Sequence, residues 1–198
     1  MLFSPNIERR VVVACSGGPD SMALLHFCRT GKKDVNVLHF QHGNTAFSLK
    51  SRALVEEYCD KFELNLCVTN LPSASESEWH DMRSKYYQMS ESQVLTGHTL
   101  DDAIEWYLIT SFKGSPAYIR SCSGKVFRPM IATDRAAIRE YADRCNVPYL
   151  DDPTNVGRFN DRAKLRMYLP QMMQDFPYFK GRLRNHYEKE LEYVNIVT

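Results

Sequence analysis

The 198-residue chain predicts an α/β fold, a parallel sheet with helices on both faces and a short helical C-terminal extension. Three observations lead there. β-Branched apolar runs and amphipathic stretches alternate at least four times, the order of βαβ units. Polar clusters follow three of the strands, at 16–21, 41–43 and 97–102, where open parallel sheets form their sites. Beyond the last strand–helix alternation the chain reads as helical pieces without strand patterning.

The elements follow in order. Arg10 to Cys15 is a buried strand, apolar without alternation, and Ser21 to Arg29 a helix. Val35 to Phe40 is a second strand. Ser48 to Phe62 is a helix, with Leu49, Ala53, Leu54 and Tyr58 spaced for one face. Leu64 to Thr69 is strand-like, Leu71 to Ser77 a loop carrying Pro72, and Glu78 to Ser90 a helix. Gln93 to Thr96 is a short strand and Leu100 to Phe112 a helix. Lys113 to Arg128 reads as irregular. Thr133 to Cys145 is a helix with Thr133 as its N-cap. Helical pieces follow a loop around Asp151-Asp152-Pro153. This order divides the chain into an α/β domain over 1–150 and a C-terminal helical extension over 151–198.

Composition excludes little. Net charge is +1, so no global charge points to nucleic acid. The charge is uneven, however. Residues 158–189 hold eight Lys/Arg against three Asp/Glu, with six aromatics interleaved, a pattern that suits RNA phosphates and unstacked bases as well as a solvated helical face. Six cysteines occur without a C-x-x-C pair or zinc-type spacing, so buried free thiols in a reducing, cytoplasmic setting are expected. No signal core or membrane-length apolar run is present.

The first polar cluster is Ser16-Gly17-Gly18-Pro19-Asp20-Ser21, at a strand-to-helix junction. It is neither a Walker A loop nor G-x-G-x-x-G. Its glycines let backbone N–H groups converge on an anion, the helix adds its positive end, and two hydroxyls add donors. Asp20 beside a phosphate calls for a bridging cation such as Mg²⁺, which takes carboxylate and phosphate oxygens together. The alternative is an ordinary turn with Asp20 as a cap. The loop resembles the SGGxDS loop of the PP-loop ATP pyrophosphatases, which grips the pyrophosphate part of ATP.

The second cluster runs from Leu95 to Glu105 and holds His98, Asp101, Asp102 and Glu105. Asp102 and Glu105 are three apart and share a helix face. Such acids either cap the helix or hold a cation or a substrate amine. The stretch resembles the GHHxDDQxET motif of tRNA(Ile)-lysidine synthetases, and five further segments resemble that family in order. These are His39 to Gly43 (H-x-x-H-G), Glu78 to Tyr86 (E-x-x-x-R-x-x-R-Y), and Arg128-Pro129-Met130 with Arg135 (the RPL segment). Asp151 to Asn155 (E-D-P-S-N) and Asp161 to Pro170 (Y-x-R-N-x-x-R…P) complete the set.

The resemblance implies a Rossmann-like, adenine nucleotide alpha hydrolase-like fold and a ligase. That enzyme adenylates C2 of the wobble cytidine of tRNA(Ile) with a CAU anticodon, then joins free L-lysine through its ε-amine, releasing AMP and pyrophosphate. It implies ATP and Mg²⁺ as cofactors, with Ser16, Gly17, Gly18, Pro19, Asp20 and Ser21 on the nucleotide and Asp20 and Asp102 on the metal. Asp20, His98, Asp102, Glu105 and Arg83 would be catalytic, and His42, Lys85, Asp101, Arg128, Arg162 and Arg166 would meet substrate or RNA. A membrane partner is not expected, and self-association into a homo-oligomer is left open.

The match departs from the family at Ala103 (its Gln), Trp106 (its Thr), Ala163 (its Asn) and Met82, where the family has an arginine and Arg83 comes one place late. The tRNA-gripping domains usual in the family have no counterpart here, which implies a short form. Two alternatives stand beside the ligase. One is a PP-loop tRNA thiolase, disfavoured by the unpaired cysteines. The other is a catalytically weak RNA- or nucleotide-binding module, disfavoured by the concentration of acids. His26, His39, Trp79 and Trp106 are expected to be packing residues, and Cys15 a core thiol.

Overall fold

A computed structural model describes residues 6–72, 74–152 and 161–197. Pro153, Thr154 and Asn155 of the 151–155 segment, and Arg158 and Phe159 of the basic, aromatic stretch, lie outside them. The elements run β1 (Arg10–Ala14), α1 (Pro19–Thr30), β2 (Asp34–His42), α2 (Ala46–Lys61), β3 (Asn65–Leu71), α3 (Glu76–Gln88), β4 (Gln93–Thr96) and α4 (Leu100–Phe112). They continue with β5 (Cys122–Ser123), β6 (Val126–Phe127), α5 (Arg135–Arg144), α6 (Asp161–Asp175) and α7 (Pro177–Val197). The α/β class is as expected. The six-stranded sheet has the order β3-β2-β1-β4-β6-β5, parallel except for the β5–β6 hairpin.

The order reverses between β1 and β4. From β1 the chain steps outward to β2 and β3, then returns to β4 on the other side of β1. Right-handed crossovers place the helices of the two directions on opposite faces. The cores agree. One cluster packs α1, α2 and α5 against the sheet through Val11, Val13, Met22, Leu25, Val35, Val37, Val55 and Ile138. A second joins α4 to α7 through Leu100, Ala103, Ile104, Ile131, Leu183 and Tyr187. Thus α7 shares a core with α4. On β2, Phe40 meets Tyr86 and Tyr87 of α3 edge-on.

Local differences from the sequence-based expectation have local causes. Helix α1 starts at Pro19, whose fixed φ and missing N–H suit the first helical position. Helix α3 starts at Glu76 because Ser75 and Glu78 form a capping box. The N-cap of α5 is Asp134, not Thr133, since Asp134 is the last residue with extended backbone. The segment 113–128 is not wholly irregular. Gly124, at φ +56°, turns the chain between two-residue strands too short to show periodicity, and β6 adds to the sheet beside β4.

Because β1 pairs with β4 (Ala14 opposite Thr96), the loops after these strands are neighbours. Gly97 lets them touch. A Cβ there would lie 3.0 Å from Ser21 N and 3.1 Å from the Asp20 carbonyl carbon. Those are backbone atoms of a helix start and cannot swing aside. Gly181, within α7, faces open space. Gly97→Ala should therefore lower unfolding free energy by roughly 1–3 kcal/mol. Gly181→Ala should raise it by about 0.5–1 kcal/mol through helix propensity. Urea unfolding of both variants checks the pair, and equal effects would contradict the close contact.

Candidate active site

The loop after β1 is built on Gly17, whose φ of +84° favours glycine. A Cβ on Gly17 would also meet Ser51 Oγ at 2.6 Å, and Ser51 Oγ donates to the Ser16 carbonyl. The loop's polar groups are turned to one another. Ser16 N and Gly18 N donate to Ser21 Oγ (3.1 Å) and Ser16 Oγ (3.4 Å), and the two serine hydroxyls lie 3.2 Å apart. The Gly17 N–H points to the Cys15 sulfur. Gly18 is the N-cap of α1 and has no side chain to cap it. First-turn amides of a helix lack intrahelical acceptors, so this end suits an anion.

Across from it, Asp102 serves two structural bonds. Its Oδ2 accepts from Thr99 N (2.8 Å) and Thr99 Oγ1 (2.9 Å), which caps α4. Its Oδ1 accepts from Arg135 Nη2 at 2.6 Å. Arg135, on the first turn of α5, reaches three carboxylates: Asp102, Glu105 (Nη1 to Oε1, 3.3 Å) and Asp20 (Nε to Oδ2, 3.4 Å). Glu105, whose side chain is 1% exposed, also takes a bidentate fork from Arg166 of α6, at 2.6 and 3.0 Å. The Arg135 amide donates to Asp101 Oδ2 at 2.7 Å.

The charges follow the distances. Burial works against the Asp102 carboxylate, yet Arg135, His98 and the Thr99 bonds outweigh it, and its pKa is lowered. Burial likewise opposes the Arg135 charge, but Asp102, Glu105, Asp20 and Asp101 raise its pKa on balance. Asp20 sits at the far end of the guanidinium. There burial dominates, Arg135 offsets it only in part, Asp102 and Asp101 add to it, and the pKa rises to about 6. Its Oδ1 is buried without a hydrogen-bond partner. His98 is neutral near pH 7. Burial, opposed by Asp102 and aided by Arg128, Arg162 and Arg83, lowers its pKa to about 4. Its Nδ1 lies 2.9 Å from Thr96 Oγ1.

The structure thus gathers Asp20, His98, Asp101, Asp102, Glu105 and Arg166 at one sheet edge beside the serine–glycine loop, with the charges of Arg83, Arg128 and Arg162 felt at His98. Arg83 Nη1 lies 3.5 Å from His42 Nε2 at the end of β2, so α3 turns this arginine to the sheet edge although it falls one place late. Arg128 Nη1 donates to the Arg120 carbonyl. Lys85 is exposed on α3. A cavity of about 340 Å³ opens beside the cluster, lined by Asp101, Ile104, Glu105, Arg135, Arg166, Leu169, Pro170, Met173 and Lys180.

Arg135 is the residue that sequence reasoning missed as a hub. It appeared only as part of a motif, and no spacing signals that one side chain will meet acids 30 and 115 positions away. The expected pairing of Asp20 with Asp102 around Mg²⁺ does not fit these side chains, because the Arg135 guanidinium bridges them. Among the described residues no group of three His, Cys, Asp or Glu side chains is arranged to hold a metal. Asp20 Oδ1, buried and without a hydrogen-bond partner, is a carboxylate oxygen that a cation could take.

Three thiols, Cys15, Cys28 and Cys59, are core groups as expected, whereas Cys67 and Cys122 are exposed and Cys145 is half-buried, so the expectation of buried thiols fails for those three. Burial pushes Cys15 up to about 11 and Cys28 and Cys59 up to about 12. Trp79 donates to the Pro72 carbonyl and packs edge-on against His42. Among the described residues no helix is long and apolar enough to cross a membrane.

Asp20 supplies a pH test. Its folded-state pKa of about 6 lies above the ordinary value near 4, so between those values the folded chain keeps a proton that the unfolded chain loses. Its contribution therefore favours folding below pH ~4 and is lost as pH rises through about 6. Asp20→Asn should gain stability relative to wild type across this window, by on the order of 1–3 kcal/mol at pH 7. Denaturant unfolding at pH 4, 5, 6 and 7 reads this, and parallel pH profiles would contradict it.

Comparison with known proteins adds the family. A family model described as a PP-loop domain matches residues 1–173. Curated relatives include a tRNA(Ile)-lysidine synthase of Psychrobacter sp., 28% identical over 86% of this chain and 41% of its own length. The tRNA(Ile)-lysidine synthase of Solibacter usitatus is 33% identical over 84% of this chain and 42% of its own. The chain thus spans about two-fifths of the length of these relatives. Among solved structures, the U34-tRNA thiolase NcsA from Methanococcus maripaludis, with its [4Fe-4S] cluster, matches with a TM-score of 0.70. It is 14% identical, over 94% of this chain and 74% of that one. An NH3-dependent NAD synthetase from Campylobacter jejuni matches with a TM-score of 0.50 and 13% identity, over 93% and 84%. These two likenesses concern the fold. With its sheet order, its serine–glycine loop at the switch point and this match over most of its length, the chain belongs to the PP-loop domain family.

Proposed function

We propose that the chain is an ATP-dependent tRNA-modifying ligase of the lysidine-forming kind. The observation that carries this reading is the meeting of the glycine loop with the Asp20–Arg135–Asp102–Glu105 cluster at the switch point. An anion held at the helix start would lie beside groups suited to a substrate cation. The likeness to tRNA(Ile)-lysidine synthases supports the choice of substrates: tRNA(Ile) with a CAU anticodon, and lysine.

In the first step the C2 oxygen of the wobble cytidine attacks the α-phosphorus of ATP, and the bond to the β-phosphate breaks. First-turn amides of α1 receive the departing pyrophosphate, and the Ser16 amide and the Ser16 and Ser21 hydroxyls exchange their internal bonds for it. Magnesium accompanying the nucleotide would spread phosphate charge, and Asp20 is the residue of this chain that would hold it. In the second step the lysine ε-amine attacks C2 and AMP leaves. The amine must be neutral to attack and loses a proton afterwards, so a carboxylate nearby assists. Arg135 holds Asp102 as a carboxylate in that environment, and Arg166 forks onto both oxygens of Glu105. Neutral His98 is suited to hydrogen bonding rather than to charge pairing.

The test incubates the protein with ATP, Mg²⁺, labelled lysine and tRNA(Ile) bearing CAU. Lysine incorporation coupled to AMP release is expected, with a loss on the order of 100-fold or more in a folded Asp20→Asn variant. AMP release only with another RNA or small molecule would reject the lysidine reaction. RNA binding without AMP release would favour a binding module.

A further inference from the structure

Helix α7 begins at Pro177, beyond the residues 1–173 that match the family domain. It nevertheless reaches the edge of the site. Lys180 Nζ and Arg184 Nη2 both contact the Asp134 carboxylate, at 2.6 and 2.5 Å. Asp134 is the N-cap of α5, yet its side chain makes no capping bond. An N-cap aspartate usually turns inward to the second or third amide of its helix. This one turns outward to two cations of another helix. The first helical amide, that of Arg135, is taken by Asp101 of α4 instead.

The first turn of α5 is therefore held from both sides, by α4 through a backbone bond and by α7 through a charge pair. The residue at that turn is Arg135, whose guanidinium holds Asp20, Asp102 and Glu105. The α7 side of the clamp is fixed as well. Leu183 and Tyr187, on the same helix, are buried against Leu100, Ala103, Ile104 and Ile131. Arg184 stands one residue from a core anchor and three from the other, which restricts where its charge falls.

We propose that Lys180, Arg184 and Asp134 are positioning residues that set the placement of Arg135, so that α7 is a working part of the catalytic unit. The proposal rests on the reading of the Arg135 cluster as the reaction centre. It acts through geometry, since the clamp touches none of the three carboxylates that Arg135 holds. The three side chains are each about a third exposed, and charge pairs that solvent still reaches contribute little to stability. The clamp's effect should therefore appear at Arg135 rather than in the melting temperature.

Two measurements test it. The first needs no substrate. In the full chain labelled with ¹⁵N-arginine, the Nε–Hε signals of Arg135 and Arg166 are assigned by their loss in Arg135→Lys and Arg166→Lys. In the double variant Lys180→Ala/Arg184→Ala the Arg135 signal should shift or broaden, while the Arg166 signal, anchored on Glu105 from α6, persists. An unmoved Arg135 signal overturns the proposal whatever the enzyme does, and so does equal loss of both signals, which would mean general loosening. The second measurement is AMP formation. The double variant should lose roughly 10- to 100-fold in kcat with the KM for ATP nearly unchanged. Asp134→Asn should give a similar loss that is not additive with it, and the swap Lys180→Arg/Arg184→Lys should restore most of the rate. A loss confined to KM, or additive losses, would overturn the clamp. Failure of the lysine assay by wild type would reject the proposed substrates and leave the arginine signals to decide this point.

Discussion

One half-buried guanidinium organises this molecule's functional edge. Arg135 joins carboxylates from α1 and α4, and Arg166 from α6 closes on the most buried of them, Glu105. Ionised groups withdrawn from water are tolerated only when paired and hydrogen-bonded, and removing one partner strands the others at a cost of about 3–5 kcal/mol. Glu105 meets that demand with both oxygens. Asp20 meets it only in part, with one weak contact and one buried oxygen left over. That asymmetry marks Asp20 as the member open to an incoming cation.

The departures from the lysidine synthetase motifs make sense as packing. Ala103 is wholly buried in the core that seats α7 on α4, where the longer glutamine of the motif would have to displace Leu183 or Tyr187. Ala163, nearly buried near the start of α6, is similarly restricted in size. Trp106 lies on the outer side of α4 and is 38% exposed, while Glu105 beside it is buried, so the exchange there leaves the acidic face intact. These changes adjust how the C-terminal helices dock and spare the groups that face the loop.

Asp102 shows how structural and chemical roles merge. A carboxylate at the third position of a helix is a good cap, and that ordinary function occupies one of its oxygens. The other oxygen is aimed at Arg135 because the cap fixes the side chain's rotamer. An acid held in this way is a rigid counter-charge. It is a poorer candidate for a metal ligand than its position in the motif implied.

Most of the sheet was legible in the sequence, since β-branched runs and helical periodicity are local signals repeated over many residues. The glycine loop and the acidic cluster were legible as well, because each lies within a dozen consecutive positions. The β5–β6 hairpin was not, as two-residue strands exist only through their partner across the sheet. Nor was the place of Arg135, or the clamp that ties Lys180 and Arg184 to Asp134, because these contacts join elements far apart in the chain. Sequence alone thus determined which groups end up at the sheet edge, through strand order and loop chemistry. Tertiary packing decided which acid is paired with which arginine, because the energy of a buried charge depends on ångström distances that no residue spacing encodes.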